Sequence, residues 1–105
     1  MTVQDIKALV IGADPDARHY WTESRNACFT VWREYRQLPY TANDKHVEAW
    51  QFQIDRFTDT EFDPVVDAIR SALDNAPGVA YSYIVDYEGT PKSGGLIHHI
   101  FDCQG

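Results

Sequence analysis

The chain has little that would support export, redox chemistry or membrane insertion. Its 105 residues include two cysteines, one methionine and no apolar run near the roughly 18 to 20 residues that cross a bilayer. Residues 1–11 lack the cationic start and small-residue cleavage site of a signal peptide. We therefore expect a protein made in the cytosol with Cys28 and Cys103 reduced. A disulfide between them would require their strands to pair.

Basic residues are scarce and scattered. The chain has 9 Lys and Arg against 16 Asp and Glu, for a net charge of −7. Unaided binding to nucleic acid or to an anionic membrane needs clustered Lys and Arg, and the sequence contains no such run. We predict neither sequence-specific nucleic-acid binding nor membrane binding.

Catalytic and metal-binding motifs are also missing. His98 and His99 are neighbours on a predicted strand, so they point to opposite faces and cannot share one ion with ordinary geometry. Asp59 and Asp63 are explained by their place at the start of a helix, where acids suit the positive end of the dipole. No Ser or Cys nucleophile has an identifiable base. We predict no catalytic, cofactor-binding or metal-binding residues.

The sequence is well supplied with core-forming residues. Hydrophobic residues make up 44% and aromatic residues 13%, enough for one core in a single domain spanning residues 1–105. Residues 46–73 organise the chain. Trp50, Phe52 and Ile54 alternate with polar residues, which predicts a strand. The helical spacing that follows predicts an amphipathic helix with one apolar face: its apolar residues are Phe62, Val65, Val66, Ile69 and Leu73.

Capping signals place the two helices. Thr2 and Asp5 form a weak capping box for a first helix, which we expect Gly12 to end. A nucleotide-binding turn at Gly12 is disfavoured because two further glycines are missing. The second helix starts either with Thr60 as its cap or with Asp63 followed by Pro64, and the sequence leaves both open.

The remaining segments complete the predicted order. Alternating residues predict strands over 19–22, 28–37, 79–87 and 96–103, with the last two joined as a hairpin. Residues 38–45 read as an exposed loop, and the glycine-rich tip 88–95 is a recognition or flexible loop. The order predicts an α+β domain in which two helices pack on one face of an antiparallel sheet of four or five strands.

The segment EAWQFQIDRFTDT at residues 48–60, followed by VVDAIRSAL at 65–73, resembles the tail-completion (tail-terminator) proteins of long-tailed bacteriophages. The similar features are an N-terminal helix, a strand over 29–35, a loop with Pro39, the strand over 51–57, a polar turn, a helix and a C-terminal hairpin. They extend over nearly the whole chain. Two residues depart from the family pattern: Arg56 stands where an apolar residue is usual, and Pro64 stands at the helix start.

The resemblance implies a structural virion protein without enzymatic activity. Such a protein assembles as a ring, typically a hexamer, on the tail tube, stops tube polymerisation and offers the head-joining surface. Its partners would be further copies of itself, the major tail tube protein and the head–tail connector, and it would be assembled in the host cytoplasm. Acidic charge suits a ring that DNA must traverse without sticking. No cofactor is implied.

The resemblance also suggests where subunits and partners meet. We expect the strand edges over 28–37 or 96–103 to pair between subunits. The candidate interface residues are Arg33, Tyr35, Arg36, Pro39, Tyr40, Tyr87, Glu88, Lys92 and His99.

The sequence is also compatible with other functions. The first alternative is a head–tail connector or neck adaptor, which is a small α+β protein of similar size. A small ligand-binding or enzymatic α+β domain would instead show a closed apolar pocket with a strongly perturbed acid or histidine. A host-encoded regulatory binding module would have a defined cellular partner and be absent from phage particles.

Overall fold

The computed structural model describes residues 1–22, 28–39, 41–42, 45–88 and 96–105. These form two helices and seven strands. The helices are α1 (Val3–Ala13) and α2 (Pro64–Asp74). The strands are β1 (Arg18–His19), β2 (Phe29–Leu38), β3 (Thr41–Ala42), β4 (Lys45–His46), β5 (Ala49–Thr58), β6 (Ala80–Glu88) and β7 (Leu96–Gln104).

Five strands form one sheet in the order β1-β2-β5-β7-β6. The pairs β2–β5, β5–β7 and β7–β6 are antiparallel, which confirms the predicted α+β class. The two-residue β1 differs, because it runs parallel to the outer edge of β2. The sheet is therefore mixed, with one short parallel strand on an otherwise antiparallel core.

Strand β5 has the predicted alternation. Phe52 and Ile54 are fully buried, while Gln51, Gln53 and Asp55 take the opposite face and are half-buried. The buried face packs against both helices in one apolar cluster. Its members are Ile6, Val10, Ala17, Trp32, Phe52, Ile54, Val66, Ile69, Leu73, Phe101 and Cys103. We call this side of the sheet the covered face and the other the uncovered face.

The capping box of α1 is confirmed. The Thr2 Oγ1 accepts from the Asp5 N–H at 3.1 Å, and the Asp5 carboxylate accepts from the Thr2 N–H at 2.8 Å. The predicted end at Gly12 is wrong, because the helix continues to Ala13. Asp14 then takes an extended conformation while its N–H still donates to the Val10 carbonyl.

Helix α2 begins at Pro64, which decides between the two starts that the sequence left open. The Asp63 carboxylate caps the helix by accepting from the Val65 N–H at 2.9 Å. The assignment of Phe62 to the apolar helix face is wrong. With Asp63 as the cap, Phe62 lies outside the helix, at a φ of 60° and 89% exposed.

Two connections also differ from expectation. Residues 38–45 are not simply a loop, because β2 extends to Leu38 and β3 pairs with β4. Two residues separate β3 from β4, a spacing typical of tight hairpins. The predicted tip at 88–95 lies outside the described residues from 89 onward.

The predicted edge at residues 96–103 is wrong. Strand β7 is interior, with β5 on one side and β6 on the other, so its backbone is already paired. Either strand of a terminal hairpin can pair with the central strand, and here β7 rather than β6 does so. The outer edges of the sheet are β6 on one side and β1 with the rest of β2 on the other.

Candidate assembly surface

The uncovered face carries aromatic and apolar side chains among polar ones. Paired strands place Phe29 opposite Phe57 and Phe57 opposite His98 on this face. The Phe29 and Phe57 rings stack at 4.7 Å between centroids, and Phe57 and His98 stack at 4.0 Å. The three rings therefore form a continuous aromatic row across three strands.

Polar groups hold that row in place. The His98 imidazole contacts the Asp55 carboxylate, with Nε2 and Oδ1 at 2.8 Å. The Gln53 amide donates to the same carboxylate at 2.8 Å. The orientation of His98 is therefore fixed by both a ring and a carboxylate.

A shallow groove of about 450 Å³ follows the aromatic row. Trp21 stands at its edge with 66% of its surface exposed, and Val31 and Phe57 form part of the wall. Arg33 and Asp55 supply charges of both signs to the lining. An open surface that mixes large apolar groups with charge is typical of protein contacts.

Further along the same face, Tyr35 links two strands. Its hydroxyl donates to the Asp102 carboxylate at 2.6 Å, and this bond raises the pKa of Tyr35 above its ordinary value. The Arg33 guanidinium lies 5.7 Å from the centroid of the Tyr35 ring. Both side chains are nevertheless exposed, so they remain accessible to a partner.

The outer edge of β2 is partly closed by a second cluster. The His19 ring stacks between Tyr20 and Trp32, with centroids 3.9 Å from each. His19 Nε2 lies 2.6 Å from the Glu34 carboxylate, which also accepts from the Tyr20 hydroxyl. Burial alone would raise the pKa of Glu34, but these two hydrogen bonds hold it below its ordinary value. Tyr20 reaches this place at a φ of 69°.

A group of buried charges lies on the covered face. Arg56 is 7% exposed, and its Nε donates to the Asp63 carboxylate at 2.9 Å. Its Nη1 lies 3.5 Å from the Asp14 carboxylate and donates to Thr30 at 3.2 Å. Burial would raise the pKa of Asp63, yet the Val65 N–H and Arg56 together keep it below its ordinary value.

This cluster contains Arg56 and adjoins Pro64, the two residues that differ from the pattern the sequence resembles. Asp63 is the acid that neutralises Arg56. One Asp63 oxygen pairs with Arg56 while the other caps the helix that Pro64 opens. The two unusual residues therefore belong to one arrangement that ties the central strand to the start of α2.

A cleft of about 400 Å³ adjoins the cluster, lined by Asp14, Asp16, Arg18, Thr30 and Arg56 among others. It is polar, unlike the closed apolar pocket that a small-molecule site would show. Arg56 is already bound to two carboxylates there. Over the described ranges, no group of three or more His, Cys, Asp or Glu side chains could hold a metal ion.

The predicted interface residues are not brought together at one place. Arg33 and Tyr35 lie on the uncovered face, Arg36 and Pro39 are exposed at the end of β2, and Tyr87 is 73% exposed on β6. His99 is half-buried on the covered face, where its Nδ1 contacts the Tyr83 hydroxyl at 2.6 Å and burial lowers its pKa. Tyr40, Lys92 and the side chain of Glu88 lie outside the described residues.

The predicted interface residues do not include the aromatic row or Trp21. Phe29, Val31 and Phe57 stand on the face opposite the buried residues, so apolar residues occupy both alternating sets at one end of β2 and β5. This departure from alternation between apolar and polar residues is visible in the sequence. It indicates a strand end whose second face also contacts something apolar.

The two cysteines are free and differ in environment. Cys28 is half-buried, with its Sγ 3.2 Å from the Asp59 carboxylate. Cys103 is buried in the core, and burial raises the pKa of its thiol to about 12. The two thiols lie in different environments and are not joined to each other in the structure. No helix in the described part of the chain is long and apolar enough to cross a bilayer.

Comparisons with known proteins found a distant likeness among solved structures. No family model matches the chain, and no curated protein matches it. Among solved structures, it is similar to a chain of the structure entitled "Virion of native gene transfer agent (GTA) particle". The two are 13% identical with a TM-score of 0.42, over 96% of this chain and 88% of that one. A likeness of this degree leaves the role of the chain to be argued from its own residues.

Proposed function

We propose that this chain is a structural subunit of a phage-like virion, which closes the tail tube as a ring and presents a surface to the head. The observation that carries the proposal is the division of the sheet. Both helices pack on the covered face, and the uncovered face presents an ordered aromatic row with a groove beside it.

The exposed apolar residues support a role in protein contacts. Trp21, Tyr35 and Ile84 are all exposed on or beside the uncovered face, Ile84 to 58%. Monomeric proteins rarely expose contiguous apolar patches beyond a few hundred Å² unless something binds there. A terminator works through complementary surfaces, so such a face is what its mechanism requires.

The order of the helices and strands supports a tail terminator as the class of virion protein. The capped N-terminal helix, the β2 and β5 strands, the α2 helix and the C-terminal strand pair follow the order of the tail-terminator pattern. We assign the uncovered face and the strand edges to contacts with neighbouring copies, with the tail tube protein and with the head–tail connector. The net charge of −7 would disfavour adhesion of DNA passing through the ring.

Quantitative mass spectrometry of purified particles tests the proposal. We expect the chain in particles at a few copies each, far below the major tail protein. Isolated tails should contain it and isolated heads should not, whereas a connector would remain with the heads. Absence from clean particles, at a sensitivity sufficient for a single copy, would overturn the virion role.

A further inference from the structure

Strand β6 forms a long open edge. Its nine residues pair with β7 in unbroken register, and no backbone hydrogen bond of the described chain reaches its other side. The strand contains no proline and no lysine, and it includes the β-branched pair Ile84 and Val85, both exposed. Proteins that must avoid edge pairing usually interrupt such a strand with proline, a bulge or an edge lysine.

Strand β2 has an open edge that is shorter. β1 and the Tyr20 N–H occupy its outer side only as far as Trp32. Residues 33–38 pair on that side with nothing in the part of the chain that the structure describes. This free part exposes Arg33 and Arg36, and neither forms an ion pair with a described residue.

The directions of β2 and β6 allow these two edges to pair between copies. Three antiparallel steps separate β2 from β6, so the two outer strands run in opposite directions. If a second copy is placed beside the first in the same orientation, its β2 therefore meets β6 antiparallel. Antiparallel is the more stable pairing, and every copy keeps its helices on the same side of the extended sheet.

Charge also favours this arrangement. Asp86 on β6 is exposed and lies on the uncovered face, in the same row as Phe57 and His98. One of its oxygens accepts from the neighbouring Tyr87 N–H at 2.8 Å, and no ion pair to a described residue neutralises its charge. Arg33 lies on the same face of β2. The one acid in the free part of β2, Glu34, is already bonded to His19 and Tyr20. The β2 edge thus offers positive charge to the acidic β6 edge.

We infer that copies of this chain associate head to tail, the β6 edge of one against residues 33–38 of the next. This deepens the proposed function, because a head-to-tail contact whose rotation closes generates a ring. The occupant of both edges is a second copy of the same chain.

Charge-swapped variants of the full chain test the pairing, with sedimentation used to measure the oligomeric state up to about 1 mM protein. Ile84→Lys with Asp86→Lys places two lysines on β6, and Arg33→Glu with Arg36→Glu places two acids on β2. We expect the wild-type chain to form oligomers larger than a dimer and each variant alone to remain monomeric. A mixture of the two variants should recover the oligomer, because each altered edge then meets its complement.

The control is Ala8→Lys with Glu61→Lys, which changes the net charge as the β6 variant does but lies at exposed sites outside β6 and residues 33–38. It should assemble like the wild type. A wild-type chain that stays monomeric throughout would overturn the inference. Assembly that survives the β2 variant would also overturn it, by indicating β6-to-β6 pairing, and so would a mixture that fails to recover.

These outcomes are separable from those of the proposed function. A chain found in particles but monomeric in solution would keep the virion role and refute the edge pairing. A chain that assembles through these edges but is absent from particles would support the edge pairing and refute the virion role. Circular dichroism of each variant establishes that lost assembly is not lost folding.

Discussion

The two faces of the sheet are built from the same strands but differ in burial and packing. On the covered face, Phe52, Ile54 and Phe101 are fully buried and pack against both helices. On the uncovered face, Phe57 and His98 stack on each other and remain only half-buried. The covered face therefore supplies most of the buried apolar area that stabilises the fold, while the uncovered face leaves aromatic surface accessible.

The covered face is itself divided. Near the end of β5 that approaches α2, its apolar residues give way to Arg56 and Thr58, and Asp63 and Asp14 surround the arginine. A buried ion pair adds little stability compared with apolar packing, but removing one partner costs much because a charge is left buried. This end therefore specifies how α2 docks more than it adds to overall stability.

The largest predicted difference concerns thiol reactivity. Cys103 on the covered face has a pKa of about 12, against an ordinary 9.0. At a fixed pH near 8, its alkylation in the folded protein should be slower than in urea by about three orders of magnitude, because the thiolate reacts. Half-buried Cys28 should react in the folded protein. Equal labelling of both thiols, followed by mass spectrometry, would contradict the packing of Cys103.

Truncating one aromatic on each face should separate their roles. Phe52→Ala should lower the free energy of unfolding by about 4 kcal/mol, since it leaves a cavity in the core. The matched change Phe57→Ala removes a ring from the uncovered face and should cost about 1 kcal/mol. Denaturant unfolding measures both. If both variants lost the same free energy of unfolding, Phe57 would be packed as tightly as Phe52, which would contradict the difference between the two faces.

Removing the buried cation should reveal the charged end of the covered face. Arg56→Met should lower the free energy of unfolding by about 3 kcal/mol, because Asp63 and Asp14 then lack their cation. The control Arg33→Met, on the uncovered face, should change it by less than about 0.5 kcal/mol. If the two variants were equally stable in urea, Arg56 would not be paired as described.

The smallest effect is a pH dependence. The pKa of Asp63 in the folded chain lies below its ordinary value of 3.8, so its contribution to stability is present above that value and is lost as pH falls through the folded pKa. Asp63→Asn keeps a capping side chain but cannot titrate. Its stability, measured from pH 7 down to about pH 2, should fall less steeply than that of the wild type. If the two proteins lost stability equally as the pH fell, Asp63 would not contribute to the pH dependence of stability.

Local patterns in the sequence predicted much of the fold. Alternation in β5 and in the C-terminal pair, and the Thr2 and Asp5 capping box, each depend on neighbours in the chain, and all were confirmed. Strand order was not predictable in the same way. Nothing local to residues 96–103 states that β7 lies between β5 and β6, so an interior strand was taken for an edge.

The candidate surface was harder to predict for the same reason. The sequence shows Arg56 as a charged residue in a strand that is otherwise apolar on one face, and Asp63 as a helix cap. Only the folded chain shows that one carboxylate serves both. The row of Phe29, Phe57 and His98 comes from three strands. Only the register between those strands brings the rings together. Phe62 was misplaced because the competing cap at Asp63 prevailed.

Tail length in the absence of this chain tests the proposed role as a tail terminator. The gene would be deleted from the phage or prophage, and the tails measured by electron microscopy with and without the wild-type chain supplied in trans. We expect irregular, overlong tubes unattached to heads in the deletion strain, and uniform tails attached to heads when the chain is supplied. Tails of normal length joined to heads in the deletion strain would contradict that role.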